Sequence, residues 1–312
     1  MEGPPLGTDE LQRNGVPVTD TPPWTSTEDV KRLLASQQYI AEPALVMAIY
    51  LSGRLGKPLL VEGEPGCGKT EIAKALAAGT GGELIRLQCF EGLDARAALY
   101  DWDYARQLLT IRMHEARESP EALEREVFSE RFLLKRPLLR ALTGDGSHRP
   151  VLLIDEVDRA DEEFEGLLLE VLSDFQVTVP ELGTIRAKQI PFVVITSNRT
   201  RDLSDALKRR CLYAYVDYPD LAKEVAILER RLPTLGDPFA RSIATVVQRV
   251  REDPELSKRP GVAETLDWAA ALLALDRTSL DPETVATTLG FLVKDAQDLR
   301  YLREQRLAAL LE

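Results

Sequence analysis

The sequence has few of the residues from which metal centres and disulfide frameworks are built. Its 312 residues include only two histidines and three cysteines, Cys67, Cys89 and Cys211. No CxxC or HxxxH spacing occurs among them, so we expect neither a zinc cluster nor a disulfide-stapled fold. Sparse, unpaired thiols are typical of a reducing compartment. The first residues also lack the basic start and apolar core of a signal peptide, and we therefore expect a cytoplasmic protein.

Long apolar runs and an excess of positive charge are likewise missing. No apolar run approaches the ~20 residues that a membrane-spanning helix needs, so no membrane span is expected. The 39 Lys and Arg residues are outnumbered by 51 Asp and Glu residues, which leaves a net charge of −12. Such a surface repels phosphate backbones, so nucleic acid is not expected as a partner. A hydrophobic content of 44% is nevertheless typical of a globular protein with a packed core.

The chain divides into three stretches of different composition. Residues 1–24 are rich in Pro, Gly, Thr and Asp and predict a flexible leader, with Trp24 as a candidate docking point. Residues 25–218 contain short apolar strands separated by helical segments, which indicates a parallel sheet sandwiched by helices. The predicted strands cover residues 58–62, 83–87, 151–154, 192–196 and 212–216. Residues 219–312 have helical patterns alone, so the predicted fold class is α/β followed by a smaller all-helical lid domain.

The strongest motif follows the first predicted strand and precedes a helix. It fits the phosphate-loop pattern GxxxxGK[ST] and comprises Gly63, Glu64, Pro65, Gly66, Cys67, Gly68, Lys69 and Thr70. Glycines allow backbone N–H groups to curl around phosphate oxygens at a helix N-terminus. Lys69 is expected to reach the β- and γ-phosphates, and Thr70 to bind Mg²⁺. A chance match is the alternative, and the flanking strand and helix argue against it.

Two acidic residues follow the apolar segment 151–154. This pattern is typical of a Walker B strand, which delivers Asp155 to the water shell of Mg²⁺. The adjacent Glu156 suits a base that polarises the attacking water. Two solvated acids at a strand end are the alternative interpretation.

Two further candidates come from the segment 192–211. Asn198 follows an apolar strand and is expected beside the Walker B strand, where it would orient water and the γ-phosphate, although an ordinary turn is the alternative. Residues 206–211, ALKRRC, end a short helix. Arg210, with Arg209 as the second choice, is predicted to contact a transferring phosphoryl group in trans. A basic helix end that complements the helix dipole is the other interpretation.

Together these motifs resemble an AAA+ ATPase and, within that class, the MoxR family, over roughly residues 25–312. The resemblance to the CoxD-type branch is carried by residues 87–94 (LQCFEGLD), 98–109 (ALYDWDYARQLL) and 260–268 (PGVAETLDW). It implies ATP and Mg²⁺ as ligands, with Lys69 on phosphate, Thr70 and Asp155 on the metal, and Glu156 as base. It also implies that Asn198 is a sensor and Arg210 an arginine finger.

The same resemblance implies partners. A homo-oligomeric ring, with a hexamer as the expected form, follows because the finger cannot reach the nucleotide of its own subunit. Proteins of this kind are chaperone-like and act with a von Willebrand factor A domain partner. The CoxD branch is associated with maturation of molybdenum- and copper-containing carbon monoxide dehydrogenase, so a metalloenzyme is the implied client.

The resemblance further implies an insertion near residues 91–115 that faces the ring pore. Tyr100, Trp102 and Tyr104 alternate there with acids, and either grip a client segment or form the core of a hairpin. A second hairpin is predicted over residues 176–186. The family's lid arginine on the γ-phosphate has no equivalent in residues 261–265, where Lys258 or Arg259 are the candidate substitutes.

Three functions are compatible with these patterns. The first is an ATP-driven remodeller of a protein complex, and the second is a nucleic-acid-dependent motor. The third is a nucleotide-gated scaffold with little turnover. The Asp155–Glu156 pair favours an enzyme, and the acidic composition disfavours the motor.

Overall fold

The computed structural model describes residues 23–114, 119–144 and 147–312, so most of the predicted leader lies outside the described residues. The strands are β1 (Leu59–Gly63), β2 (Leu84–Gln88), β3 (Tyr100–Trp102), β4 (Leu133–Lys135), β5 (Val151–Asp155), β6 (Gln176–Val179), β7 (Gly183–Arg186), β8 (Phe192–Ser197) and β9 (Leu212–Val216). The helices of the first domain are α1 (Thr27–Ser36), α2 (Pro43–Leu55), α3 (Lys69–Thr80), α4 (Ala95–Ala98), α5 (Tyr104–His114), α6 (Pro120–Val127), α7 (Pro137–Leu142), α8 (Glu162–Asp174) and α9 (Asp205–Arg210). Those of the lid are α10 (Leu221–Arg231), α11 (Asp237–Glu252), α12 (Val262–Ala274), α13 (Pro282–Leu292), α14 (Ala296–Tyr301) and α15 (Leu307–Leu311).

The main sheet has five strands in the order β2-β5-β8-β1-β9. Every neighbouring pair in it is parallel, with Gln88 opposite Asp155 and Gly63 opposite Val216. Parallel strands end at the same edge of a sheet, so the loops that follow β1, β5 and β8 lie side by side. The predicted α/β fold class, a parallel sheet covered by helices and followed by a helical lid, is confirmed.

Helices cover both faces of the sheet, which explains why its central strands are continuously apolar. Successive residues point to opposite faces, so Leu60, Leu152 and Ile154 pack in one core with α7 and α8. Leu59 and Val61 pack in a second core against α1, α2 and α3. All residues of β1, β5 and β8 are buried. The rigid sheet therefore sets the positions of the loops at its carboxyl edge.

Two small antiparallel ribbons extend from this domain. β3 pairs with β4, with α5 and α6 between them, and Trp102 is buried in a T-shaped contact 5.6 Å from the Phe128 ring. Tyr104, by contrast, is 57% exposed on α5. The alternating aromatics therefore differ in environment: Trp102 is a core residue and Tyr104 is a surface residue. β6 and β7 form the predicted second hairpin, in which Val179 lies opposite Gly183.

The first described residues pack against the core of the sheet domain. Trp24 is only 2% exposed, and its ring lies 5.6 Å from that of Phe192. A Cβ at Gly53 would lie 2.7 Å from the Trp24 ring, so a glycine is needed on α2 at this contact. The helix α1 that follows starts with a capping box of Ser26 and Asp29.

The lid has its own core around the fully buried Trp268, whose Nε1 donates to Thr288 Oγ1 at 2.8 Å. A buried ion pair crosses it, in which Arg251 Nη2 lies 2.9 Å from Glu224 Oε1. Arg251 Nε also donates to the Pro260 carbonyl at 2.8 Å. These bonds tie α10 and α11 to the segment that leads into α12. Within the described ranges, no helix combines the length and the apolar character that crossing a membrane requires.

Candidate functional site

The loop of residues 63–70 joins the end of β1 to the start of α3. Gly66 and Gly68 have φ angles of 77° and 90°, the left-handed region in which glycine carries no steric cost. A Cβ at Gly63 would lie 1.9 Å from the carbonyl oxygen of Val216 on the neighbouring strand. Glycine is thus required at these positions for different structural reasons, a positive φ at two of them and a close backbone approach at the third. Together the glycines leave a concave backbone at the start of a helix.

Lys69 is the first residue of α3 and is 6% exposed. Its Nζ donates to the carbonyl oxygens of Gly63 and Glu64, both at 2.8 Å, and lies 3.8 Å from Cys67 Sγ. The ammonium group is therefore held inside the loop. Burial raises the pKa of the Cys67 thiol despite the nearby lysine, so this cysteine stays protonated and unreactive at neutral pH.

Asp155 ends β5 and faces the start of α3. Its Oδ1 accepts from Thr70 Oγ1 at 3.1 Å and from Thr196 Oγ1 at 2.5 Å, and the residue is 3% exposed. A hydroxyl and a carboxylate at this spacing are the hard oxygen ligands that Mg²⁺ takes from P-loop proteins. The described residues contain no group of three or more His, Cys, Asp or Glu side chains suited to a metal. Mg²⁺ fits this sparse donor set, because it keeps most of its coordination for water and substrate phosphates.

An arginine that the sequence analysis did not single out holds the other oxygen of Asp155. Arg86 on β2 donates to Asp155 Oδ2 from Nε at 3.0 Å and from Nη2 at 2.6 Å. It also contacts Gln88, two residues further along the strand. Residues i and i+2 of a strand share a face, so polar side chains at 86 and 88 between apolar neighbours were the available signal.

Glu156 directly follows β5 and has an unusual backbone conformation. Its φ is 56°, a left-handed conformation that is uncommon outside glycine and found at functional sites. Its N–H donates to Thr196 Oγ1 at 2.9 Å. The carboxylate accepts from Gln88 Nε2 at 3.1 Å and lies 3.3 Å from Arg159 Nη1. Asp155 and Glu156 are thus held in place by Thr196 and by two polar residues of β2, Arg86 and Gln88.

Asn198 lies at the end of β8, next to β5. Its backbone N–H donates to Asp158 Oδ1 at 3.1 Å, and its side chain lines the same cavity as Asp155 and Glu156. Burial alone would raise the pKa of Asp158. Hydrogen bonds from Thr200 and Asn198 outweigh it and leave this pKa below its ordinary value. The ionised Asp158 therefore fixes the loop that carries Asn198.

A cavity of about 480 Å³ lies between the sheet edge and the lid. One wall contains the phosphate loop with Asp155, Glu156, Thr196 and Asn198. The remaining walls come from the α1–α2 connection and the lid, and include Gln38, Tyr39, Ile40, Lys223, Ile227, Arg231, Val262, Ala263 and Leu266. Val262, Ala263 and Leu266 belong to the segment 260–268 that carries the family resemblance. Residues 38–40, Lys223, Ile227 and Arg231 belong to no motif of the sequence.

The lid touches the phosphate loop directly at the start of α12. Val262 N donates to the Gly66 carbonyl at 2.8 Å, and a Cβ at Gly261 would lie 2.6 Å from Gly66 Cα. Glu264 Oε2 accepts from Gly261 N at 3.1 Å. Lys258 and Arg259, the candidate substitutes for a lid arginine, are not among the residues that line the cavity. Lys223 and Arg231 of α10 are the lid cations that do.

The arginine pair of α9 lies at the other edge of the sheet. Leu212 of β9 is opposite Leu59, at the amino end of β1, whereas the phosphate loop leaves the carboxyl end. The five residues of β1 span roughly 16 Å. Arg210 Nε donates to Ser173 Oγ at 2.9 Å, and both Arg209 and Arg210 are exposed. Neither residue lies at the cavity that holds Lys69 and Asp155.

Part of the chain matches a known family model, and two proteins are similar to most of its length. Residues 58–211 match the model of the AAA domain (dynein-related subfamily). Over 311 residues the chain is 25% identical to the uncharacterized protein YehL of Escherichia coli (strain K12), covering 88% of this chain and 80% of that protein. It is 28% identical over 230 residues to the uncharacterized protein SH1500 of Staphylococcus haemolyticus (strain JCSC1435), covering 71% and 76%.

Solved structures give a weaker likeness. The Thermotoga maritima RuvB Holliday junction branch migration motor is 19% identical at a TM-score of 0.43, covering 89% of this chain and 76% of that one. A mutant form of the same motor has a TM-score of 0.46 at the same identity, covering 90% and 78%. The match over residues 58–211 and the parallel sheet topology agree in giving the chain the fold of an AAA+ P-loop NTPase.

Proposed function

We propose that this protein hydrolyses Mg·ATP and works as a homo-oligomeric ring. The observation that carries the proposal is the convergence of Lys69, Thr70, Asp155, Glu156 and Asn198 on one cavity. These are the side chains that phosphoryl transfer requires: a cation for phosphate, ligands for a metal, a base and a polar orienting group.

Each residue has a role that its contacts support. The Lys69 ammonium and the loop N–H groups bind the β- and γ-phosphates. Thr70 and Asp155 would hold Mg²⁺, which would neutralise charge that develops on the phosphate oxygens. The Glu156 carboxylate, kept in place by Gln88, accepts a proton from the attacking water. Asn198 positions that water against the γ-phosphate.

The ring is supported by the position of the exposed arginines. Arg210 lies at the amino edge of the sheet and cannot reach the phosphates bound at the carboxyl edge of its own subunit. A finger at this position serves a neighbouring subunit, which makes hydrolysis depend on assembly. A hexamer is the proposed form, as in the family that the sequence resembles.

The proposed work is remodelling of a protein client, in the manner of the MoxR family and its CoxD-like branch. The segments 87–94, 98–109 and 260–268 support the branch. Tyr104, Leu108, Leu109 and Met113 on α5 are each more than half exposed, which supplies an apolar surface for a polypeptide. A von Willebrand factor A domain partner and a carbon monoxide dehydrogenase-type metalloenzyme client follow from the resemblance alone.

The decisive experiment pairs Glu156→Gln with Glu162→Gln, an exposed glutamate in the first turn of α8. Loss of the base is expected to slow hydrolysis by roughly 10²–10⁴-fold while ATP binding persists, and the control should behave as wild type. Turnover by Glu156→Gln at the wild-type rate would contradict the proposal. Stable ATP binding without turnover in the wild type would instead favour the scaffold, and salt-sensitive stimulation by DNA or RNA would favour the motor.

A mixing experiment tests the ring. Arg210→Ala and Glu156→Gln are each expected to be inactive alone. Mixed subunits should regain activity, because a Glu156→Gln subunit offers its intact arginine to a neighbour that retains Glu156. Arg209→Ala is the matched variant. Arg209 is the finger if Arg209→Ala is inactive alone and regains activity when it is mixed with Glu156→Gln, while Arg210→Ala stays active alone.

A further inference from the structure

The start of α12 offers the nucleotide no positive side chain. Residues 261–263 are Gly, Val and Ala, and the Val262 N–H is occupied by the Gly66 carbonyl at 2.8 Å. The charged side chain nearby is Glu264, which caps Gly261 N at 3.1 Å. Any cationic contact between the lid and bound phosphates must therefore come from another element.

Within the described part of the chain, three cations line the cavity: Lys69, Lys223 and Arg231. Lys69 belongs to the phosphate loop. Lys223 Nζ lies 2.6 Å from Glu42 Oε1, so it is already paired with a carboxylate at the start of α2. Arg231 ends α10, one turn beyond Ile227, which lines the cavity too. Of the two lid cations, Arg231 is the one that approaches the first turn of α3, through Glu71.

Arg231 is weakly held by the protein. Its Nη2 lies 3.5 Å from Glu71 Oε2, a separation too long for a strong charge-assisted hydrogen bond. The Lys74 ammonium approaches the other Glu71 oxygen more closely, at 2.6 Å. Among the described residues the Arg231 guanidinium makes no hydrogen bond, although such a group carries five N–H donors. The side chain therefore has donors left for a ligand.

Its position selects particular phosphates. Glu71 directly follows Thr70 in the first turn of α3, and successive helix residues point about 100° apart. Thr70 faces Asp155, whereas Glu71 faces Lys74 and Arg231. Arg231 thus approaches the first turn of α3 from a different side than Asp155, beside which the γ-phosphate is expected. A cation on that side favours the phosphates that ADP and ATP share.

We propose that Arg231 is the lid's contact with the nucleotide, binding the α- and β-phosphates in place of the cation that α12 lacks. This inference rests on the proposed nucleotide site. It makes the lid respond to ADP and ATP alike, because neither contact requires the γ-phosphate. The buried Glu224–Arg251 pair then transmits the position of α10 to the segment before α12, which touches Gly66.

The test compares Arg231→Ala with Arg230→Ala, the adjacent exposed arginine of α10 that does not line the cavity. Equilibrium binding of Mg·ADP and of a non-hydrolysable Mg·ATP analogue is measured by calorimetry. Arg231→Ala is expected to weaken both ligands by about tenfold or more, the effect of a lost charge-assisted bond, while Arg230→Ala binds as wild type. Arg231→Gln, which keeps the aliphatic part of the side chain as far as Cδ and removes the charge, serves if the alanine variant lowers the melting temperature.

The outcomes separate the two proposals. If the wild type binds and Arg231→Ala binds equally well, this inference is wrong and the proposed function stands. If only the triphosphate analogue is weakened, the contact is with the γ-phosphate and the inference is again wrong. If the wild type binds neither nucleotide, both proposals fall.

Discussion

The two halves of the cavity are built in different ways. The phosphate half is formed by residues 63–70 with Asp155, Glu156, Thr196 and Asn198. In it Lys69, Asp155 and Thr196 are buried, and Asp155 accepts hydrogen bonds from Thr70 and Thr196. The lid half, formed by Lys223, Ile227, Arg231, Val262, Ala263 and Leu266, combines aliphatic side chains with partly exposed cations. Groups that stabilise developing charge work best when preorganised. A half that closes over a ligand needs contacts that can form and break.

The contrast extends to how each half is supported. The phosphate half stands on strands that are buried on both faces, so its loops inherit the positions of a rigid sheet. The lid half stands on a separate helical core and reaches the phosphate half through Val262 and Gly66. Substitutions in the phosphate half should therefore affect binding most, and those at the junction least.

The largest effect is expected from Lys69→Ala. Under the proposed function the buried Lys69 ammonium binds phosphate oxygens. Its removal then costs about 2–5 kcal/mol of binding, so affinity for Mg·ATP should fall about 100-fold or more. Calorimetry measures it, with Lys31→Ala as the control because Lys31 is exposed on α1 and does not line the cavity. Equal affinity of the two variants would show that the phosphate half is not where phosphate binds.

Arg86→Ala should have an intermediate effect. Asp155 Oδ2 loses two charge-assisted hydrogen bonds, each of a kind that contributes about 1.5–3 kcal/mol, and the carboxylate becomes free to rotate away from Thr70. The Mg²⁺ concentration needed for half-maximal nucleotide binding is expected to rise about tenfold. A magnesium titration at fixed ADP checks this.

Arg86→Lys keeps the charge but not the paired donors, and should recover only part of the magnesium affinity. The opposite result is also informative. If Arg86→Ala binds Mg²⁺ more tightly than wild type, Arg86 opposes the metal by repulsion and does not position Asp155.

Gly261→Ala should have the smallest effect and tests the junction of the halves. Its Cβ would lie 2.6 Å from Gly66 Cα and 2.8 Å from the Gly66 carbonyl oxygen, so the lid must shift. Overpacking of this kind costs about 1–3 kcal/mol, and we expect a lower melting temperature with weaker nucleotide binding. Gly290→Ala on α13, where nothing lies within 4 Å, is the control. Identical behaviour of the two variants would mean that the junction contributes nothing.

The phosphate half was predictable because its parts are contiguous in sequence. Strand, glycine turn, lysine and helix follow one another in residues 58–80, and the acids come directly after an apolar strand. Each pattern reflects local backbone chemistry and the burial of a central strand. The hairpin of residues 176–186 was predictable for the same reason.

Other residues could not be predicted in this way. Arg86 and Asp155 are 69 positions apart and meet because β2 pairs with β5. The aromatics at 100–104 share one alternating pattern, yet Trp102 is buried and Tyr104 is exposed, because a strand ends and a helix begins between them. The lid cation was sought at Lys258 and Arg259, near α12 in sequence, whereas the cavity is lined from α10.

By itself the sequence determined which segments form the sheet, where the phosphate loop turns and which acids end the neighbouring strand, since each depends on residues close together in the chain. Tertiary structure alone decided which side chains complete the cavity. Strand order brought Arg86 and Gln88 to the acids, and lid packing brought Arg231 to the start of α3. Contacts between distant segments depend on how whole faces pack, and no short pattern of residues encodes that.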